Sequence, residues 1–108
     1  MNNLVKIVVT VPESDTEKLL KAVGDAGAGS IGNYTHCSFS SKGTGRFIPI
    51  EGANPTIGQV GKPEEIVEDR IEVTCNKEIL DKVIFSIKSA HPYEEPVIDV
   101  YQLLTWKW

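Results

Sequence analysis

The sequence predicts an α+β sandwich in which one antiparallel sheet carries two helices on a single face. Three observations support this. Two stretches show apolar residues at helical spacing, the runs between them alternate at strand spacing, and prolines and glycines sit where one element should give way to the next. The elements come in the order strand, helix, strand, strand, helix, strand, which is the order of two strand–helix–strand halves sharing one sheet.

Leu4, Val5, Ile7, Val8, Val9 and Val11 form a β-rich run apolar on both alternating faces, as expected of a central strand. Pro12 ends it. Ser14, followed three residues later by Glu17, reads as a capping box that opens a helix from about Asp15 to Ala26. Leu19, Leu20, Ala22, Val23 and Ala26 make one stripe that can lie on a sheet, and Gly27 is the expected left-handed stop. Tyr34 to Ser40 alternates well enough for a second strand, continued by Arg46 to Ile50 after a bulge or turn at Gly43-Thr44-Gly45. Ile66 to Cys75 should be a strand with Val67, Ile71, Val73 and Cys75 facing the core and Glu68, Arg70, Glu72 and Thr74 facing water. Asn76 is the expected cap of a second helix that reaches Ala90, with Ile79, Leu80, Val83, Ile84 and Ile87 on its buried face. Pro92 stops that helix, and Val97 to Leu103 is the last strand. This order defines a ferredoxin-like βαββαβ sandwich, a single domain over residues 1–108 with one long loop at about 49–65.

Composition narrows the function. The 108 residues carry 11 basic and 15 acidic side chains, a formal charge of −4 that disfavours a phosphate-backbone binder, so no nucleic-acid partner is expected. No uncharged apolar run approaches the roughly 20 residues of a membrane span, and the N-terminal stretch lacks the form of an export signal, so a cytoplasmic protein is expected. Cys37 and Cys75 lie outside any CxxC pairing and read as reduced thiols. The two helices leave the other sheet face uncovered, and Val and Ile on both sides of the first strand call for a neighbouring copy to cover it. Trp106 and Trp108 at the end of the chain suit such a homo-oligomeric contact.

Three stretches invite a chemical reading. In the first, Tyr34, His36 and Cys37 stand together, and His36 and Cys37 are soft donors of the kind that hold copper or zinc. Adjacent strand residues point to opposite faces, however, so a metal site needs partners from elsewhere. In the second, the run HPYEEP (His91 to Pro96) fixes His91, Tyr93, Glu94 and Glu95 between two prolines. A paired carboxylate beside an imidazole suits acid–base work or a divalent ion, and the same residues suit a helix C-terminus and a tied corner. In the third, the excursion from Glu51 to Glu65, which includes Asn54, is longer than compact domains tolerate without a binding role. The glycine-rich segments lack a phosphate-loop spacing, and no Ser-His-Asp order or HExxH is present, so no catalytic residue is singled out.

The segments IGNYTHCSFSSKGTGRFIP, EGANPTIGQVGKPEEI, EDRIEV and HPYEEPVIDVY together resemble the domain inserted in the middle of many bacterial Nif-three-like (YqfO-type) proteins, over nearly the whole chain from Val5 to about Leu103. In that family the flanking halves carry a dinuclear metal centre. The resemblance implies that this chain stands alone without those ligands and that their hydrolase activity does not transfer. HPYEEP is also similar to the signature of CutA proteins, trimers linked to divalent-cation tolerance, and the architecture resembles the P-II regulatory trimers, whose long loop contacts partners.

The expectation is a non-catalytic homo-oligomer, a trimer by these resemblances. It would bind a small ligand or metal ion at intersubunit clefts lined by Tyr34, His36, Gly43, Thr44, Gly45, Asn54, His91, Tyr93, Glu94 and Glu95, and a protein partner could dock on residues 51–63. The runner-up is a CutA-like copper or zinc handler using His36, Cys37, His91 and Glu94 as ligands. A metal-dependent hydrolase built on His91, Glu94 and Glu95 comes third.

Overall fold

A computed structural model describes residues 3–104. Its elements are β1 (Leu4–Pro12), α1 (Thr16–Asp25), β2 (Phe39–Phe47), β3 (Glu64–Asn76), α2 (Leu80–Ala90) and β4 (Ile98–Gln102), with a single 3₁₀ turn leading into each helix. The four strands form one antiparallel sheet in the order β2-β3-β1-β4. Each helix therefore bridges two parallel strands that hold a third between them, and the predicted ferredoxin-like sandwich is present. Trp106 and Trp108 lie outside the described residues.

β1 sorts its side chains by parity. Val5, Ile7, Val9 and Val11 are buried and share the core with Ile71, Val73 and Cys75 of β3, Leu19 and Val23 of α1, and Val83 and Ile87 of α2. Leu4, Lys6, Val8 and Thr10 point the other way. Val8 is thus the one Val or Ile of β1 on the open face, and it lies opposite Glu72 on one side and Asp99 on the other. That face is of mixed polarity, not continuously apolar. The run looked two-sided because Val8 stands between Ile7 and Val9.

The helix ends differ from the sequence reading at their starts and match it at the first stop. No side-chain cap forms at either start: a 3₁₀ turn at Glu13–Asp15 precedes α1, another at Lys77–Ile79 precedes α2, and Ser14 Oγ donates to Asp15 instead of capping. Gly27 takes φ of 107°, while the Ala28 N–H reaches the Val23 carbonyl at 3.0 Å and the Gly27 N–H reaches Gly24 at 3.0 Å, the two bonds of a Schellman stop. Gly27→Ala should cost about 1 kcal/mol in chemical denaturation, because a methyl at that φ is strained and would press on Ile79 Cδ1.

The second strand is displaced from its expected place. Residues 31–38 form a turn-rich connection in which Ile31 and Tyr34 bridge each other, and His36 adopts φ of 59°. β2 instead runs unbroken through Gly43-Thr44-Gly45, each residue in register with β3, so this triplet is neither turn nor bulge. β3 begins two residues earlier than expected. Its 13 residues outrun the helix layer, which is why Val67 is exposed although it has core parity. The molecule is drawn out to 50 × 22 × 22 Å with a radius of gyration of 15.0 Å, larger than the roughly 13 Å of a compact chain this long. Among the described residues no helix is long and apolar enough to cross a membrane. Cys75 is buried, Cys37 half-buried, and both are free thiols.

Candidate functional site

The corner that follows α2 is tied to three other parts of the molecule. β4 pairs with β1 only as far as Ile98 opposite Val9, so the Thr10 carbonyl lies beyond that ladder. His91, itself buried, supplies the missing donor: its Nε2–H reaches Thr10 O at 2.7 Å, while Nδ1 accepts the Tyr93 N–H at 3.1 Å. These two bonds require the tautomer protonated on Nε2 alone and occupy both ring nitrogens. The Tyr93 hydroxyl donates to Glu68 Oε2 at 2.7 Å, and its ring meets Phe47 edge-on at 6.0 Å. Burial, then the bond to Glu68, pushes the Tyr93 phenol well above its ordinary value, so it stays a donor at neutral pH.

The long loop closes over this corner. Thr56 Oγ1 donates to the Pro92 carbonyl at 2.7 Å, and the Asn54 N–H donates to Glu94 Oε1 at 3.0 Å. Within the loop, the Gly61 N–H reaches Pro49 O at 2.7 Å. Loop, corner and the end of the β2–β3 hairpin thus enclose a cavity of about 390 Å³. Phe47, Pro49, Ala53, Pro55, Ile57, Tyr93 and Val97 make its apolar wall, and Thr10, Thr44, Arg46, Glu68, Glu94 and Glu95 place polar groups on it. A smaller cleft of about 180 Å³ shares Thr10, Thr44 and Glu68 and adds Lys42, Gly43 and Arg70. Size, apolar lining and a few convergent polar groups are the usual marks of a small-molecule site.

Gly45 explains why glycine interrupts β2 here. A Cβ at this position would overlap the carboxylate of Glu68, whereas one at Gly43 meets only open space. Gly45→Ala should therefore displace Glu68 and cost about 1 kcal/mol by analogy with other overpacking changes, while Gly43→Ala should do neither. Thermal denaturation of the two variants side by side checks this.

Of the residues singled out from sequence, Thr44, Gly45, Tyr93, Glu94 and Glu95 line the cavity, Gly43 lines the cleft beside it, and Asn54 and His91 hold its walls. Tyr34, His36 and Cys37 do not join them. His36 bonds Asp25 Oδ1 at 3.0 Å through Nε2 and Thr35 Oγ1 at 3.1 Å through Nδ1, at the C-terminal end of α1. The Cys37 N–H bonds Gly29 O, and the Gly29 N–H bonds the carbonyl of Thr74, which pairs with Lys6. Lys6 is four residues from Thr10, so the His36–Cys37 segment and the His91 corner sit about 13 Å apart along β1. The proposed ligand set of His36, Cys37, His91 and Glu94 does not converge within one subunit, and no group of three or more His, Cys, Asp or Glu positioned for a metal occurs among the described residues.

Sequence reasoning missed Glu68, Thr10, Phe47 and the apolar loop residues. Strand alternation puts Glu68 on the wet face, yet it is only 7% exposed. The aromatic ring that covers it comes from 25 positions away, and strand periodicity carries no trace of that contact.

No family model matches the chain. It is 45% identical over 94% of its length to the GTP cyclohydrolase 1 type 2 homolog of Mycobacterium tuberculosis, and 48% identical over 94% to that of Halalkalibacterium halodurans. The chain spans 27% of the length of each of these relatives. Among solved structures it superposes on a Bacillus cereus protein related to NIF3 with a TM-score of 0.82 and 48% identity, covering 94% of this chain and 26% of that one. It also superposes on the periplasmic divalent cation tolerance protein CutA of Archaeoglobus fulgidus with a TM-score of 0.70 at 19% identity, covering 96% of this chain and 87% of that one. The first structure bears out the resemblance to a domain of Nif-three-like proteins, and the second shows a shared fold.

Proposed function

We propose that this chain, a relative of a domain-length region of the Nif-three-related proteins, is a non-catalytic binding or regulatory module that holds a small ligand in the cavity between the long loop, β2 and the HPYEEP corner. The observation that carries this reading is the loop itself. Its hydrogen bonds from Asn54 and Thr56 to the corner form a preorganised apolar pocket where a purely connecting loop would lie open.

The test is protein-observed NMR with a library of small fragments. Hits should shift the amides of Gly45, Phe47, Glu68 and Tyr93. Hits confined to the groove that Ala22 of α1 and the adjoining Ala26 line with Phe85 and Ala90 of α2, or no hits at all, overturn the reading.

The same module is proposed to assemble as a homotrimer, with the outer side of the loop offered to a protein partner. The elongated shape, the unpaired outer edge of β2, and exposed Phe39, Val100 and Tyr101 support assembly. Exposed Ile50 and Val60 on the loop support the partner surface. Sedimentation should show a species of three times the 11.9 kDa chain mass, and a monomer at micromolar concentration refutes the assembly.

A further inference from the structure

Resting on the cavity's role as a ligand site, we infer that its ligand is a small organic cation, an ammonium or guanidinium head on an apolar body. Glu68 is more than nine-tenths buried, with 7% of its surface exposed. Its Oε2 accepts the Tyr93 hydroxyl, and among the described residues its Oε1 has no hydrogen-bond partner. No fully buried side-chain oxygen or nitrogen there is unpartnered, so this oxygen remains open to the space it lines, against Gly45 on the cavity floor. The open oxygen of the carboxylate keeps acceptor positions that a donor-bearing ligand can fill.

None of the nearby cations is paired with Glu68; each is paired with another carboxylate. Arg46 Nε bonds Glu65 at 3.1 Å, Arg70 Nε bonds Glu72 at 3.2 Å, and Lys42 bonds Glu13 and Asp69 at 2.7 and 3.3 Å. The cavity wall thus sets three carboxylates, Glu68, Glu94 and Glu95, against one guanidinium. Such a potential rejects anions and rewards a donor-bearing cation. The remaining wall is aliphatic or aromatic, and the Phe47 and Tyr93 rings, in edge contact at 6.0 Å, belong to it. A bare divalent ion needs several converging oxygen ligands and gains nothing from that wall, so the occupant is organic.

The probes are three compounds with nearly the same body: 2-phenylethylamine, 2-phenylethanol and 3-phenylpropanoate, titrated by NMR on the whole chain. The amine should bind at the Gly45 and Tyr93 amides at least tenfold more tightly than the alcohol, with the carboxylate weakest. Glu68→Gln should remove most of the amine's preference over the alcohol. If the alcohol or carboxylate binds the cavity as well as the amine, the cationic inference is overturned and the cavity stands as a ligand site. If library fragments bind there but the amine does not, the inference also fails alone. If zinc or magnesium displaces the amine from those amides, the occupant is a metal ion and the inference is wrong. The wild-type comparison is independent of how well the variant folds.

Discussion

His91→Ala is expected to lower the unfolding free energy by about 2–4 kcal/mol, whereas His36→Ala should cost under about 1 kcal/mol. The two imidazoles differ in what they leave behind. Removing His91 strips the donor from the Thr10 carbonyl past the end of β4, strips the acceptor from the Tyr93 N–H, and opens a hole at a site only 7% exposed. Removing His36 breaks an exposed contact with Asp25 that Lys21, 2.7 Å from the same carboxylate, partly replaces. Urea denaturation of both variants under one condition decides it. Equal losses would mean that the corner is not anchored through His91.

Tyr93→Phe should cost about 1.5–3 kcal/mol, because it leaves the Glu68 carboxylate buried without its charge-assisted donor. Glu68→Gln in that background should then cost much less than in the wild type, and the double-mutant cycle should be clearly non-additive. The pH dependence has a definite sign. The phenol of Tyr93 is held above its ordinary value near 10 in the folded protein, so the unfolded chain loses this proton first as the solution becomes alkaline. The stabilisation is fully present below about pH 10 and declines as pH rises above it, and Tyr93→Phe should flatten that decline. An additive cycle together with an unchanged alkaline limb would remove the Tyr93–Glu68 bond from the account.

Much of the architecture was legible because it is local. The stripe Leu19, Val23 and Ala26 and the left-handed stop at Gly27 are set by spacing and by one φ angle, and both appear where periodicity puts them. The misplaced second strand has a physical reason. Tyr34 to Ser40 alternates like a strand, but Gly29 takes the Cys37 backbone as a partner and His36 turns left-handed, so pairing with β3 starts only at Phe39. The site was half legible. HPYEEP and the long loop stood out by proline content and by length, yet their meeting depends on hydrogen bonds across 36 and 40 positions, Thr56 to Pro92 and Asn54 to Glu94. Glu68 was hidden altogether. In sequence a carboxylate on the polar phase of a strand is indistinguishable from its solvated neighbours Arg70 and Glu72, and only the folded corner covers it.

The most direct measurement is a crystal structure of the chain soaked with a fragment library. Fragment density is expected between Phe47, Tyr93 and the loop proline Pro55, with a polar atom of the fragment against Glu68. Fragments that cluster elsewhere, or a loop collapsed onto β2 so that the space is filled by its own side chains, would contradict it.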